Sequence, residues 1–513
     1  MTHPYTKTLA LTAAVALAQS ANGQTADQFT SEVANAYYGQ GYTLCPATPG
    51  CTPPVSSRAY GYMGIALYEA VVDGIPGYSS LQGDLPDLGP LPAVTPGLIY
   101  HWPTCANYAL SRIMDSLFFN AAPANLAALQ AIRDGFDVQF SGEPVDVIQR
   151  SQAFGTDIAE AVLDMARTDG QHRPQLTNFD PLFVPPVGPG LWVPAVGQQA
   201  MQPYWGNKRP FLEADTSFTL FNSTPPAFDT LPGSPCYDAA ALVYQTSLNL
   251  TTTDTLTARY WADGVVTPPT HSMSMMEQLM RRENKDLAFA ARGYAMLGMS
   301  IADAFVACWR WKYIFNWNRP RNFIRDHIDP NWASLITTPP FPECSSGHSS
   351  QSGAWSSVME ELFGSSFAFV DSTHGASFGG PRTYTDFATC SQETAYSRLL
   401  GGIHYEYSNS GGLQNGEAIG DNIIALFDGL ITGVNDVASN GTVNIRYDAV
   451  NDLLVVGATE QVEQVRVISC GSGALVNAFD GPGPYHLSNI APGMYAVVLV
   501  GDTRQPARFV VAE

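Results

Sequence analysis

With 513 residues, 45% of them hydrophobic and 14% charged, the chain can bury a large core and is too apolar to be disordered. Its 46 acidic against 25 basic residues give a formal charge of -21, which argues against nucleic acid as the main partner, since phosphate backbones need cations over a broad surface. The acid excess reads instead as a solubility device.

The N-terminus, MTHPYTKTLALTAAVALAQSANGQ, sets one Lys before the apolar run LALTAAVALA and then small polar residues. That is the layout of a secretory signal peptide, so residues 1–24 are expected to direct export, with cleavage between Ala21 and Thr25. A secreted or cell-surface protein is the expectation. No later run reaches the roughly 20 apolar residues of a membrane span. The eight cysteines form no CxxC pair, which argues against a zinc cluster. Cys45 and Cys51, in CPATPGC, are spaced to close a small disulfide loop, and the pairing stays open.

From about residue 27 to 430 helical periodicity dominates, as in RAYGYMGIALYEAVVDG, DVIQRSQAFGTDIAEAVLDMARTDG and DLAFAARGYAMLGMSIADAFVACWRWKY. The Pro/Gly-rich FDPLFVPPVGPGLWVPAVG reads as an ordered loop laid over the helices. Residues 25–432 are therefore predicted to form a large helical domain. After NGEAIGDNIIALFDGLITG the texture changes to short β-rich runs, among them QVRVISC, YAVVLVGD and ARFVVAE. These predict a small β-sandwich over residues 433–513. The fold class is mainly α, with a C-terminal β module. LSNIAPGMYAVVLV and ARFVVAE resemble the C-terminal sorting domain of type IX secretion cargo, which implies that secretion machinery as a partner.

Three segments carry candidate chemistry. In KYIFNWNRPRNFIRD and just before it, residues 310–325 hold Arg310, Lys312, Arg319, Arg321 and Arg325, a concentration of scarce cations. Lys312 and Arg319 are two helical turns apart and share a face if the helix persists that far. Pro320 biases Arg319 away from the α region, predicting that the helix ends there. Beside Trp309, Trp311, Phe315 and Trp317 the two cations can clamp an oxyanion, Arg bidentately and Lys as a point charge. A basic patch snorkelling over aromatics accounts for the same residues. In CSSGHSSQSGAWSSVMEELFG, Ser346, Gly347 and His348 sit at a predicted helix N-terminus, where free N–H groups favour an anion. His348 stands there as an acid or base, although a Ser N-cap with an incidental His fits equally. In SRLLGGIHYEYSNSGG, Arg398 and His404 would face apart on an unbroken helix, but Gly401-Gly402 can bend them together.

In order, Lys-x6-Arg-Pro, Ser-Gly-His and Ser-Arg-x5-His resemble the signature shared by vanadium-dependent haloperoxidases and the acid phosphatases related to type 2 phosphatidic acid phosphatase. YWADG at Tyr260 and the helix leading into Trp309 resemble the haloperoxidase branch. The resemblance covers most of the helical domain and implies a helical bundle holding vanadate, a near-isostere of phosphate. It implies that Lys312, Arg319 and Arg398 neutralise the equatorial oxygens and that Ser346 and the Gly347 N–H add hydrogen bonds. His404 would supply the axial nitrogen as the vanadium ligand, His348 would act as acid/base, and Lys312 would also polarise bound peroxide. Trp309 and Phe341 match positions where chloroperoxidase-type members place Trp and Phe, making them the candidate halide pocket.

The implied activity is oxidation of halide, iodide or bromide favoured, by hydrogen peroxide to a hypohalous acid equivalent. The alternative is an acid phosphatase with His404 as nucleophile. Expected partners are peroxide and halide, with small organic acceptors and a homo-oligomer left open. Two positions depart from the family pattern: Ser345 replaces the usual Pro, and Ser408 replaces the Asp that usually orients the axial His. Glu406, Asn409 or a backbone carbonyl are the candidate substitutes for that Asp.

Overall fold

The computed structural model describes residues 24–430, apart from 171–172, 196, 218–220 and 222–223, together with seven strands and Leu487 beyond them. The chain divides into two compact units, Met1–Ile431 and Thr432–Glu513. The expected export segment and Cys470 lie outside the described residues.

The first unit is helical, with thirteen α-helices among the described residues. The first five are α1 (Glu32–Ala47), α2 (Pro53–Val71), α3 (Trp102–Leu117), α4 (Pro123–Gln139) and α5 (Val145–Arg167). A long irregular stretch separates them from α6 (Pro235–Leu248), α7 (Thr252–Tyr260), α8 (Pro268–Arg282) and α9 (Leu287–Phe315). The last four are α10 (Pro320–His327), α11 (Gly347–Phe363), α12 (Phe387–Leu400) and α13 (Glu406–Gly429). None of the described helices is long and apolar enough to cross a membrane. Local chemistry sets the boundaries. Asp286 caps α9 by accepting from the Phe289 N–H, and Thr251 with Asp254 forms a reciprocal capping box on α7. Between α11 and α12 a short antiparallel ribbon pairs β1 (Phe369–Asp371) with β2 (Arg382–Tyr384).

The 29-residue α9 is the spine, buried without a break from Gly293 to Trp309. A helix apolar on all sides belongs at the centre of a bundle. Small residues let its neighbours approach: a Cβ on Gly64 of α2 would lie 2.6 Å from Ala295 Cα. The α11–α13 contact is closer still. Gly412, Gly416 and Gly420 repeat every four residues, so they line one face of α13. A Cβ at Gly416 would fall 1.9 Å from Ser350 O, and one at Gly353 of α11 would fall 2.1 Å from Leu413 O. The Pro/Gly-rich stretch is irregular, as its composition predicts, and is fastened to the end of α9 by a Trp192 N–H to Asn316 O bond of 2.7 Å. Cys45 and Cys51 are free thiols.

The second unit consists of antiparallel strands. One sheet orders β3 (Ile445–Asp448), β4 (Leu453–Val456) and β7 (Pro484–His486). The other orders β6 (Leu475–Asp480), β5 (Gln464–Ser469), β8 (Gly493–Val500) and β9 (Ala507–Val511). Buried Val465 and Val467 alternate along β5 opposite Leu499 and Val497.

Gly416→Ala should destabilise the helical unit by about 1–3 kcal/mol, because backbone rather than a movable side chain blocks the new methyl. Gly429→Ala, with nothing within 4 Å, should leave the thermal midpoint unchanged or slightly raised. Comparing the two melting curves checks the contact.

Candidate active site

Lys312 and Arg319 reach one place from two helices rather than from one helical face. α9 stops at Phe315, where Asn316 takes a left-handed conformation (φ 43°) and its N–H closes on Lys312 O. Arg319 is extended, at the N-cap of α10, with Pro320 opening the helix. The Lys312 ammonium gives all three of its protons to backbone: Pro342 O at 3.1 Å, Glu343 O at 2.8 Å and Ser345 O. It therefore fixes the segment that leads into α11. Arg319 donates from Nε to Phe341 O (3.1 Å) and from Nη1 to Ile403 O (2.8 Å), while its Nη2 has no partner. Arg398, from the last turn of α12, donates from Nη1 to Trp261 O (2.6 Å) and leaves Nε unpartnered.

Ser346 caps α11, its hydroxyl accepting from the Ser349 N–H and, at 2.9 Å, from the Ser349 hydroxyl. Gly347 and His348 then occupy the first turn, where backbone N–H groups have no intrahelical acceptor. The Ser346 N–H is tied to Ser408 O at 3.3 Å, so α13 seats this N-terminus. Over the cations lie Trp309 and Phe341, ring centroids 4.9 Å apart, with Lys312 Nζ 5.7 and 5.2 Å from the two rings.

His404 is delivered by the glycine turn. α12 ends at Leu400, and Gly402 adopts φ +73° beneath Trp332 and Ser334. Arg319 Nη1 lies 3.1 Å from His404 Nε2. A guanidinium only donates, so Nε2 carries the lone pair and the proton sits on Nδ1. That proton goes to Glu343 Oε1 at 2.6 Å, which also accepts from the Tyr405 N–H at 3.1 Å. Glu343 thus orients His404 where Ser408 cannot. Neither sequence candidate does so: Glu406 is exposed and pairs with Ser410, and Asn409 meets Ser349. The signal available in the sequence was a lone Glu inside the otherwise apolar and small FPECSSG run.

A second carboxylate was also missed. Asp263, in the YWADG segment, presents Oδ2 to His348 Nε2 at 3.5 Å. Its other oxygen meets His271 Nδ1 at 2.7 Å and His374 Nε2 at 3.1 Å. Asp263, His271 and His374 have donor atoms within 4.8 Å of one another, yet this set is no oxyanion site. His271 has carboxylate oxygens against both of its nitrogens, so neither has a lone pair to offer a metal ion.

Burial governs the electrostatics. Desolvation pushes Lys312 down to about 8, and Arg319 and Arg398 down to about 10. Burial pushes Glu343 up to about 7 against the pull of Arg319 and Lys312. Burial and then the surrounding cations hold His404 well below its ordinary value, and burial followed by Arg398 lowers His348 to about 4. Three buried cations thus face two buried carboxylates, Glu343 and Asp263, with Arg319 Nη2 and Arg398 Nε left over. Such a ring fits a tetrahedral oxyanion: two aimed guanidinium nitrogens, a helix N-terminus and an imidazole lone pair.

The fold and site together define a helical bundle with a buried, cation-lined site of a kind that fits an oxyanion. Residues 292–433 match the family model described as the VCPO second helical-bundle domain. A bacterial vanadium-dependent iodoperoxidase structure superposes with a TM-score of 0.69 at 28% identity, covering 78% of this chain and 96% of that one. A bacterial vanadium-dependent chloroperoxidase in its holo form gives 0.60 at 14% identity, covering 76% and 95%. Its apo form gives 0.57 at 13%, covering 75% and 95%. A search of curated protein sequences returned no match. The matched domain and the structural likeness support the vanadium haloperoxidase class for this enzyme.

Inorganic phosphate should raise the thermal midpoint of the anion-free protein, since a ligand at 100 times its Kd adds about 2.7 kcal/mol of stability. Arg398→Ala should abolish most of that shift. Melting curves with and without phosphate test both statements.

Proposed function

We propose that this chain is an exported haloperoxidase that binds vanadate and uses hydrogen peroxide to oxidise iodide or bromide. The balanced reaction takes peroxide, halide and a proton to hypohalous acid and water. The observation that carries the reading is a pair of unpartnered guanidinium nitrogens, on Arg319 and Arg398, in a buried cationic site that also holds the His404 lone pair. The iodoperoxidase likeness supports the halide choice. The signal-like N-terminus and the sorting-like tail, resembling type IX cargo, support export.

Arg319, Arg398 and the N-terminal turn of α11 at Ser346 and Gly347 would hold the vanadate oxygens, with His404 Nε2 as the ligand to the metal. When bound, vanadate supplies Lewis-acid activation of peroxide without changing oxidation state. The chain's own groups do the rest. Glu343 keeps the His404 proton on Nδ1 and the ligand lone pair on Nε2. His348 is uncharged through the neutral range, so it can take a proton from incoming peroxide, with the Asp263 carboxylate 3.5 Å from its Nε2, at ion-pair rather than hydrogen-bond contact. Lys312 braces residues 342–345 and, with its charge under Trp309 and Phe341, makes the aromatic roof attractive to halide. These rings also keep water from the anion.

Glu343 favours a second reading as well. It gives His404 the carboxylate partner that a phosphate-attacking nucleophile requires, so an acid phosphatase remains a rival on this scaffold. Metal-stripped protein separates the two: iodide or bromide oxidation that appears only after orthovanadate loading is the expected result. Aryl phosphate hydrolysis that vanadate quenches, with no halide turnover, would sink the peroxidase reading.

Glu343→Gln should weaken vanadate binding by roughly 10- to 100-fold, the usual effect of removing a partner that orients a ligand histidine. Calorimetric titration with orthovanadate measures it. An unchanged affinity would show that His404 needs no carboxylate behind it.

A further inference from the structure

Behind His348 lies a buried acid–base cluster joined to the oxyanion site through Asp263. Asp263 follows α7, His271 is in the first turn of α8, Asp371 ends β1 and His374 follows it; all four are buried. His271 Nδ1 is 2.7 Å from Asp263 Oδ1, and Nε2 is 2.7 Å from Asp371 Oδ2. Both carboxyls are held below their ordinary range and so accept only, and a ring protonated at both nitrogens satisfies both contacts. His271 is therefore an imidazolium. The positive end of the α8 dipole opposes a cation there, which leaves the two carboxylates to hold it. Its ring stacks on Trp261 with centroids 4.7 Å apart, and the Tyr260 hydroxyl donates to Asp371 Oδ2 at 2.7 Å. Both contacts restrict its tilt.

We propose that His271 is a positioning residue, a standing positive charge between Asp263 and Asp371 that keeps Asp263 ionised and aimed at His348. His348 then holds its proton on Nε2 and keeps the Nδ1 lone pair for the reaction. The role of base comes from the haloperoxidase reading; the charge on His271 does not depend on it. His271 is raised to about 10, with Asp371 and Asp263 the groups that favour its charge against the cost of burial. The remaining charged or titratable neighbours are Arg398 and Cys390 on α12, Tyr42 on α1, and Arg382 of β2 over the Tyr260 ring. None of them lies between the two carboxylates as His271 does.

Without the imidazolium, two buried carboxylates face one neutral position. Either one takes a proton in the neutral range, or the unbalanced charge of Asp263 raises the pKa of His348. Both events move the acid limb of the rate profile in the same direction, to higher pH.

The test is the pH dependence of kcat/KM for peroxide in vanadate-loaded wild type, His271→Gln, Asp371→Asn and the double variant. His271→Gln should shift the acid limb upward by about one unit, tenfold in activity on that limb. Asp371→Asn, which removes a negative charge, should leave the limb in place or move it to lower pH, and the double variant should return toward wild type, having lost one charge of each sign. A double variant as shifted as His271→Gln, or an unmoved limb in that single variant, overturns the proposal. Nitrogen-15 spectra of vanadate-free, histidine-labelled protein provide a readout independent of turnover. Both His271 nitrogens should be protonated at pH 8; a neutral ring there overturns the proposal even if halide oxidation is confirmed. Should His271→Gln fail to fold, Asp371→Asn carries the test: its His271 must deprotonate at lower pH than in wild type, and an unchanged titration refutes the role.

Discussion

Positive charge held out of water is the constraint around which the helical unit is arranged. Lys312, Arg319 and Arg398 are all buried, with Glu343 among them and Asp263 beside Arg398 as the carboxylates that act on them. An isolated buried cation is costly unless hydrogen bonds and opposite charge surround it. The fold answers with backbone: carbonyls of Pro342, Glu343 and Ser345 take all three Lys312 protons, and those of Phe341, Ile403 and Trp261 accept from Arg319 and Arg398. Carbonyl dipoles stabilise a cation without cancelling it. The surplus charge stays available to an oxyanion, and the loops that provide those carbonyls are held in place by the same bonds.

The three histidines near the site show how neighbours, and not residue type, decide protonation. His404 lies among cations and is held neutral, with Glu343 choosing its tautomer. His348 is kept neutral by burial and by Arg398. His271, equally buried, is charged because both of its nitrogens point at carboxylates. One side-chain chemistry therefore takes neutral forms among cations and a charged form between carboxylates within a single unit.

Much of this arrangement was legible because each short motif carries its own geometry. Pro320 marks a helix start, Ser346 a cap and Gly402 a left-handed turn, so the local backbone follows from residue type. The helical domain and the β-rich tail followed from periodicity in the same way. The carboxylates behind the histidines were not legible. Glu343 lies 61 residues from His404, and Asp371 lies 100 from His271, so only tertiary packing brings them together. Candidates sought close to His404 in sequence, Glu406 and Asn409, face elsewhere because the α13 start turns them away. Lys312 shows a different limit: its charge was readable, but not that three backbone carbonyls would absorb its donors.

The glycine stripe of α13 bears on how such a pocket could be altered in the laboratory. Where two helices touch main chain to main chain, no side-chain library can adjust their spacing, since every substitution is larger than what it replaces. The cap at Ser346 is thereby locked to α13, and the anion cradle becomes an inherited frame that selection cannot resize in small steps. Room to reshape the pocket lies instead in the aromatic roof of Trp309 and Phe341, where contacts are made by side chains and a mutation can change volume without moving the frame.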